Sequence, residues 1–246
     1  MKILDRKSLC IILVLTATLF SKADAQEQII EDSFNPKEQN IIAISAQTAK
    51  GDLEALKDNL NNGLDAGLTI NEIKEAILHS YAYCGFPRSI RGLQTFIIVL
   101  DERKAKGIKD VQGAEASPVT APGNKYDRGK AILEKLTGVK ETGPKKGYAA
   151  FAPTMEVFLK EHLFADIFER DVLTFKDREL VTISVISSIG DAEPMLRSHL
   201  SICLNNGLTP NQLQQFVGVL KPVIGKKKSR AAQKVLNEVL ADKKKD

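Results

Sequence analysis

The chain has 246 residues and a formal net charge of +4, with basic residues spread along it rather than gathered in one block. That balance excludes the electrostatic footprint of a nucleic-acid-binding domain. The sequence has no CxxC pair, no HExxH and no glycine-rich phosphate loop, so it carries no signal for a metal, a dithiol centre or another cofactor, and none is expected.

Lys2, Arg6 and Lys7 precede a twelve-residue apolar run, Leu9–Phe20, and Ala23-Asp24-Ala25 follows it. The run is short for a membrane span. The order basic, apolar, small reads as a secretory signal peptide over residues 1–25, cut after Ala25. The mature chain is then expected to be exported, periplasmic or secreted, and to have no membrane contact after cleavage. Loss of Lys2, Arg6, Lys7, Lys22, Asp5 and Asp24 leaves it a net charge of +2. It keeps Cys84 and Cys203, which in an oxidising compartment can pair or can serve as buried apolar residues.

Helical periodicity runs through the rest, and strand-like alternation is nearly missing. Asn35-Pro36 opens a helix to about Lys50, stopped by Gly51. Leu53, Leu56, Leu60 and Leu64 line one face of the next. A third helix starts after Thr69 and runs towards Tyr83, where CGFP (Cys84–Pro87) interrupts it. A fourth covers about Arg88–Lys104. Residues 105–127, rich in Gly, Ala, Pro and Ser, read as a linker or long surface loop. Helix resumes near Arg128, breaks over Gly138–Gly147, and Pro153–Leu180 is amphipathic and aromatic. The Lys226–Lys228 and Lys243–Lys245 runs read as solvated helix ends.

One phrase occurs twice. LDAGLTINEIKEAILHS (Leu64–Ser80) is echoed by LNNGLTPNQLQQFVGVL (Leu204–Leu220). In each copy a glycine suits the left-handed residue past a helix end. Thr69 and Thr209 are N-caps, and Glu72 and Gln212 complete capping boxes. Upstream, Asn35–Asp52 matches Thr174–Asp191, and the second copy then carries one residue more. A helical unit of about seventy residues is therefore duplicated. One unit alone barely exceeds the size at which a single core is marginal, so the copies are expected to pack on each other. The boundaries read as repeat one over 34–104 and repeat two over 128–242.

RELVTISVISSIGDAEPMLRSHLSICLNNGLT (Arg178–Thr209) resembles the carboxymuconolactone decarboxylase family of the alkylhydroperoxidase-like (AhpD-like) helical superfamily. Its marks are an Arg-Glu-Leu helix opening, a histidine on the next helix, and LNNGLT. EAILHSYAYCGFPRSIRGL (Glu75–Leu93) is similar to the family's following segment, and KEHLFADIFERDVL (Lys160–Leu173) to the helix before its second module. The resemblance covers about Asn35–Leu240. It implies an all-α fold of two tandem repeats packed as a pseudo-dimer, assembly into a homo-oligomer, and a small-molecule carboxylate or lactone as partner. Peroxidase-type members of the superfamily carry cysteines seven and four residues before the histidine; here those positions are Ala192 and Met195, so dithiol chemistry lacks both members.

Each copy holds one of the family's two histidines. Repeat two has His199 where repeat one has Asn59, and repeat one has His79 where repeat two has Val219. The reading that follows from the resemblance is carboxy-lyase chemistry, with His199 as general acid, Glu179 as its partner, and His79 as a second donor or substrate contact. Both histidines are then expected to line one cleft at the repeat interface. Two alternatives stand beside it: a peroxiredoxin-type antioxidant using Cys84 and Cys203, and a binding protein with a decayed site. His162 reads as a structural or surface residue, and Tyr81 and Tyr83 as packing residues.

Overall fold

The computed structural model describes residues 32–243, and among these the regular secondary structure is all helical, with no strand. The expected signal peptide lies outside the described residues, as does most of the second lysine run. Repeat one comprises α1 (Pro36–Lys50), α2 (Leu53–Asp65) and α3 (Ile70–Ala105). Next come α4 (Lys125–Thr137), the short α5 (Gly147–Phe151) and α6 (Pro153–Phe158), and a π-helical segment, Leu159–Phe168. Repeat two comprises α7 (Phe175–Ile189), α8 (Glu193–Asn205) and α9 (Pro210–Asp242).

The helix boundaries follow from local chemistry. Asn35, Thr69 and Thr209 each close a full capping box, with Glu38, Glu72 and Gln212 returning the bond. Gly67 and Gly207 stand at φ +90° and +92°. The CGFP interruption is a kink inside α3: Gly85 adopts φ 78°, ψ 161°, and Gly225 repeats it in α9 at φ 80°, ψ 170°. That region of backbone space is open to glycine almost alone. The run Lys226–Lys228 thus begins the second half of α9 rather than a loose end.

The opening helices α1 and α7 lie against each other at the centre. Both are buried on nearly every side, over residues 41–49 and 178–188. Ile42, Ile44, Leu180, Val181 and Ile183 supply the apolar core between them. Several of the hydroxyls they bury bond back one turn, Ser45 to the Ile41 carbonyl at 2.7 Å and Ser184 to Leu180 at 2.6 Å, whereas Gln47 Oε1 and the Ser187 hydroxyl are buried without a partner. Each long third helix also packs on the opening helix of the other copy, α3 on α7 and α9 on α1. This exchange makes the pseudo-dimer.

The linker is pinned rather than loose. Asn71 donates to the Gly113 and Ala114 carbonyls at 3.1 Å each, and its backbone N–H takes the Gln112 carbonyl. Beyond it, α4 crosses the π-helical segment over a small core of Leu136, Leu163, Phe164, Ile167 and Phe168. The crossing is close at Gly129, where a Cβ would lie 1.8 Å from the Lys160 carbonyl oxygen. Gly129→Ala would gain about 1 kcal/mol in helix propensity, but the contact is with backbone and cannot rotate away. Overpacking costs about 1–3 kcal/mol or more. A net loss of stability, read as a fall in thermal midpoint of several degrees, is the expected result; a rise would show that the crossing yields freely.

Candidate functional site

The two copies differ in chemistry at six matched positions. Repeat two has Arg178, Glu179 and His199 where repeat one has Gln39, Asn40 and Asn59; repeat one has Glu75, His79 and Tyr83 where repeat two has Gln215, Val219 and Val223. Glu75, His79 and Tyr83 recur every fourth residue on one face of α3. Because α3 crosses onto α7, this face meets Arg178, Glu179 and Thr182, and His199 joins from α8.

His79 is wholly buried. Its Nε2 lies 2.9 Å from the Thr182 hydroxyl oxygen, and that hydroxyl donates to the Arg178 carbonyl at 2.9 Å. Thr182 can then only accept, so Nε2 carries the hydrogen and Nδ1 accepts from Arg178 Nη1 at 3.3 Å. Burial, followed by the Arg178 and His199 charges, pushes the His79 pKa well below its ordinary range. Phe168 closes on the ring edge-on at 4.9 Å.

Arg178 is itself fully buried. It donates to Glu75 Oε1 at 2.7 Å and to the Arg170 carbonyl at 2.6 Å. Glu75 also takes two bonds from Arg170 Nε, at 2.8 and 3.1 Å, and one from Nη2 at 2.9 Å. Burial works to raise the Glu75 pKa, but the two arginines prevail and hold it below the usual carboxylate range.

His199 sits on the more open side, 14% exposed, with Nδ1 2.8 Å from Glu179 Oε2. The buried carboxylate orients the ring and leaves Nε2 without a protein partner among the described residues. Tyr83 bridges the two histidines, its ring 5.6 Å from His79 and 5.8 Å from His199. Burial first, then the Glu179 charge, raises the Tyr83 pKa, so its hydroxyl stays neutral. Three buried polar atoms here have no partner: the Tyr83 hydroxyl, Glu179 Oε1 and Arg178 Nε. Unpartnered polar atoms are rare in a folded interior, and three of them mark this cluster as one whose polar groups are not satisfied by the protein alone.

The two histidines therefore belong to one cluster, but not in the same way. His199 has a free nitrogen; both nitrogens of His79 are occupied by the protein. Glu75, Arg178, Thr182 and Arg170 were not singled out from sequence, and Tyr83 was read as packing. The i, i+4, i+8 spacing on α3 and the pattern of differences between copies are the signals that point to most of them. Cys84 and Cys203 are unpaired. Burial raises both thiols, Cys203 furthest, with Glu179 adding to it, and Cys84 donates to the Ser80 carbonyl at 3.1 Å. His162 is on the surface, 3.2 Å from Asp166. Among the described residues no group of His, Cys, Asp or Glu gathers as a metal site.

The neutral, buried His79 makes stability depend on pH. In the unfolded chain a histidine takes a proton below about 6.5; in the fold His79 does not. Stability from this residue is fully present above that value and is lost as pH falls through it. At pH 5.5 the loss is on the order of 1 kcal/mol. Urea unfolding at pH 7.5 and 5.5 should show this difference in the native chain and not in His79→Gln. An equal pH dependence in both would assign it to other groups.

The carboxymuconolactone decarboxylase family model matches residues 17–96 and 153–238. The first match begins inside the apolar N-terminal run, and the stretch between the matches holds the linker, α4 and α5. A 4-carboxymuconolactone decarboxylase of Acinetobacter baylyi is 28% identical over 119 residues, which is 48% of this chain and 88% of that protein. The two matched segments make up most of the sequence and each contains an opening helix, a second helix and a kinked third: the chain belongs to the carboxymuconolactone decarboxylase family and carries its helical unit twice.

Proposed function

We propose that the chain is a lyase for small lactones or carboxylic acids, with His199 as general acid. The observation that carries this reading is the Glu179–His199 pair, 2.8 Å apart, with the outer ring nitrogen left without a protein partner among the described residues. In the reaction the bond from substrate carbon to carboxylate breaks and carbon dioxide leaves. The electron pair stays on the substrate, delocalised into the lactone carbonyl, and a proton must reach carbon. An imidazolium whose Nδ1–H is engaged by Glu179 presents its Nε2–H for that transfer. In this reading the neutral Tyr83 hydroxyl and the Arg178 Nε–H, neither of which has a protein partner, would receive developing negative charge on oxygen. His79, with both nitrogens engaged, holds Arg178 and Thr182 in position.

Export of the mature chain remains part of the proposal and is checked by cell fractionation. So does self-association: Phe86, Ile90 and Ile97 stand exposed on one face of α3, and light scattering reads the oligomer. The activity is tested by following carbon dioxide release from 4-carboxymuconolactone and related lactone acids. Release that disappears in His199→Gln, with helical circular dichroism unchanged, is the expected result. Retention of a ligand without any turnover would overturn the lyase reading in favour of a binding protein.

A further inference from the structure

The groups assigned to the lyase reaction are shut away. The Tyr83 hydroxyl and Arg178 Nε are buried and have no partner. That reading brings a substrate oxygen to both of them, so part of the fold has to move before substrate can enter.

The element over them is the hairpin of α4 and the π-helical segment. Its apolar underside, Leu136, Leu163, Phe164 and Phe168, packs against Leu78 and Tyr83 of α3 and includes Ile202 of α8 in the same core. Leu78 and Tyr83 flank His79, and Ile202 is one turn past His199, so the hairpin rests on the helix faces that carry both histidines. It is tied firmly within itself. Gly129 admits the Lys160 carbonyl, Arg128 Nε donates to both Glu169 oxygens at 3.0 and 3.2 Å, and Lys125 pairs with Asp166 at 2.8 Å. These contacts make the two segments one rigid piece.

Its polar ties to the rest of the fold lie at two edges and differ in strength. At one edge, where the chain turns into α7, Arg170 makes three charge-assisted bonds to Glu75, and its carbonyl accepts from Arg178. At the other, Asn205 donates to the Thr137 carbonyl at 2.7 Å and Asn206 to that of Leu136 at 2.9 Å. Both of those bonds are neutral, and Asn205 is exposed. Residues 118–124, leading into α4, are exposed and have neither helix nor strand, so they leave the hairpin slack to move.

We propose that this hairpin is a lid on the His199 site. It pivots at residues 169–174, held there by the Arg170 clamp, and parts from α8 at Asn205 and Asn206. Opening admits the substrate; closing returns Phe164 and Phe168 over it and excludes water. The inference rests on the lyase reading, because only a reaction at Tyr83 and Arg178 requires the entry.

The test is hydrogen exchange of the full chain, read by mass spectrometry at low urea. Residues 126–137 and 159–168 should share one protection value, at least tenfold below that of α1 and α7, because they open as a unit without global unfolding. Asn205→Ala should lower that shared value about fivefold, the worth of one hydrogen bond. 4-Carboxymuconolactone, added to His199→Gln at ten times its dissociation constant, should raise it about tenfold. Lid protection equal to that of α1 and α7 would overturn the proposal. So would a gradient along α4, which marks fraying, or a lid value that Asn205→Ala leaves unchanged. Exchange in the free chain needs no turnover, so the two readings fail separately. A lid that opens in a chain releasing no carbon dioxide counts against the lyase alone.

Discussion

Glu75→Gln is expected to cost about 3–5 kcal/mol of folding stability, the largest loss from a single isosteric change in this chain. The substitution keeps volume and removes only charge. Arg170 is one-third exposed and can turn its guanidinium to water; Arg178 is fully buried and cannot. Its remaining polar contacts are the Arg170 carbonyl and His79 Nδ1, both uncharged, and its Nε already lacks a partner. A buried charge left uncompensated is the expensive case, whereas replacing a whole pair with apolar residues is often close to neutral. Glu75→Leu combined with Arg178→Met should therefore recover most of the loss. At about 2–4 °C per kcal/mol for a chain of this size, the single variant should melt at least 6 °C lower. A loss under about 1 kcal/mol would mean that water or other groups already compensate Arg178.

His199→Gln is expected to lower turnover of a lactone acid by about 10²–10⁴-fold, the usual worth of a general acid. Folding should be affected less than in Glu75→Gln, because His199 is partly exposed and an amide at this position can donate to Glu179 in its place. Glu179→Gln should fall between tenfold and the His199 loss, since an amide can donate to Nδ1 and so favour the wrong ring tautomer. Two residues that act as a unit do not add, so the double variant should be no worse than His199→Gln alone. The loss should appear in kcat more than in KM, because the proton is transferred only in the reaction. Additive losses would separate the two residues and leave Glu179 a structural carboxylate.

Much of the fold was legible from single residues and their spacing. Caps at Asn35, Thr69 and Thr209, the stops at Gly67 and Gly207, and the break at Cys84–Pro87 depend on neighbours within a few positions. Local backbone chemistry decides them wherever they occur. The duplication was legible too, because it is written in the order of those signals, whereas the pairing of Glu179 and His199 on successive helices was an expectation that only the family resemblance supplied. The helix start before Arg128, at Lys125, was read three residues late because its Asn124 cap lay inside a polar stretch.

What only the tertiary structure decided was which residues of one copy meet which of the other. Glu75 and Arg178 are 103 residues apart, and no local rule joins them. They pair because α3 of the first repeat crosses α7 of the second, with the π-helical segment closing over both. The same crossing separates the two histidines by chemistry. It buries His79 between Arg178 and Thr182, where both nitrogens are taken, and leaves His199 with one nitrogen towards the open side. Burial and partner geometry set those differences, and both arise only when the two copies pack together.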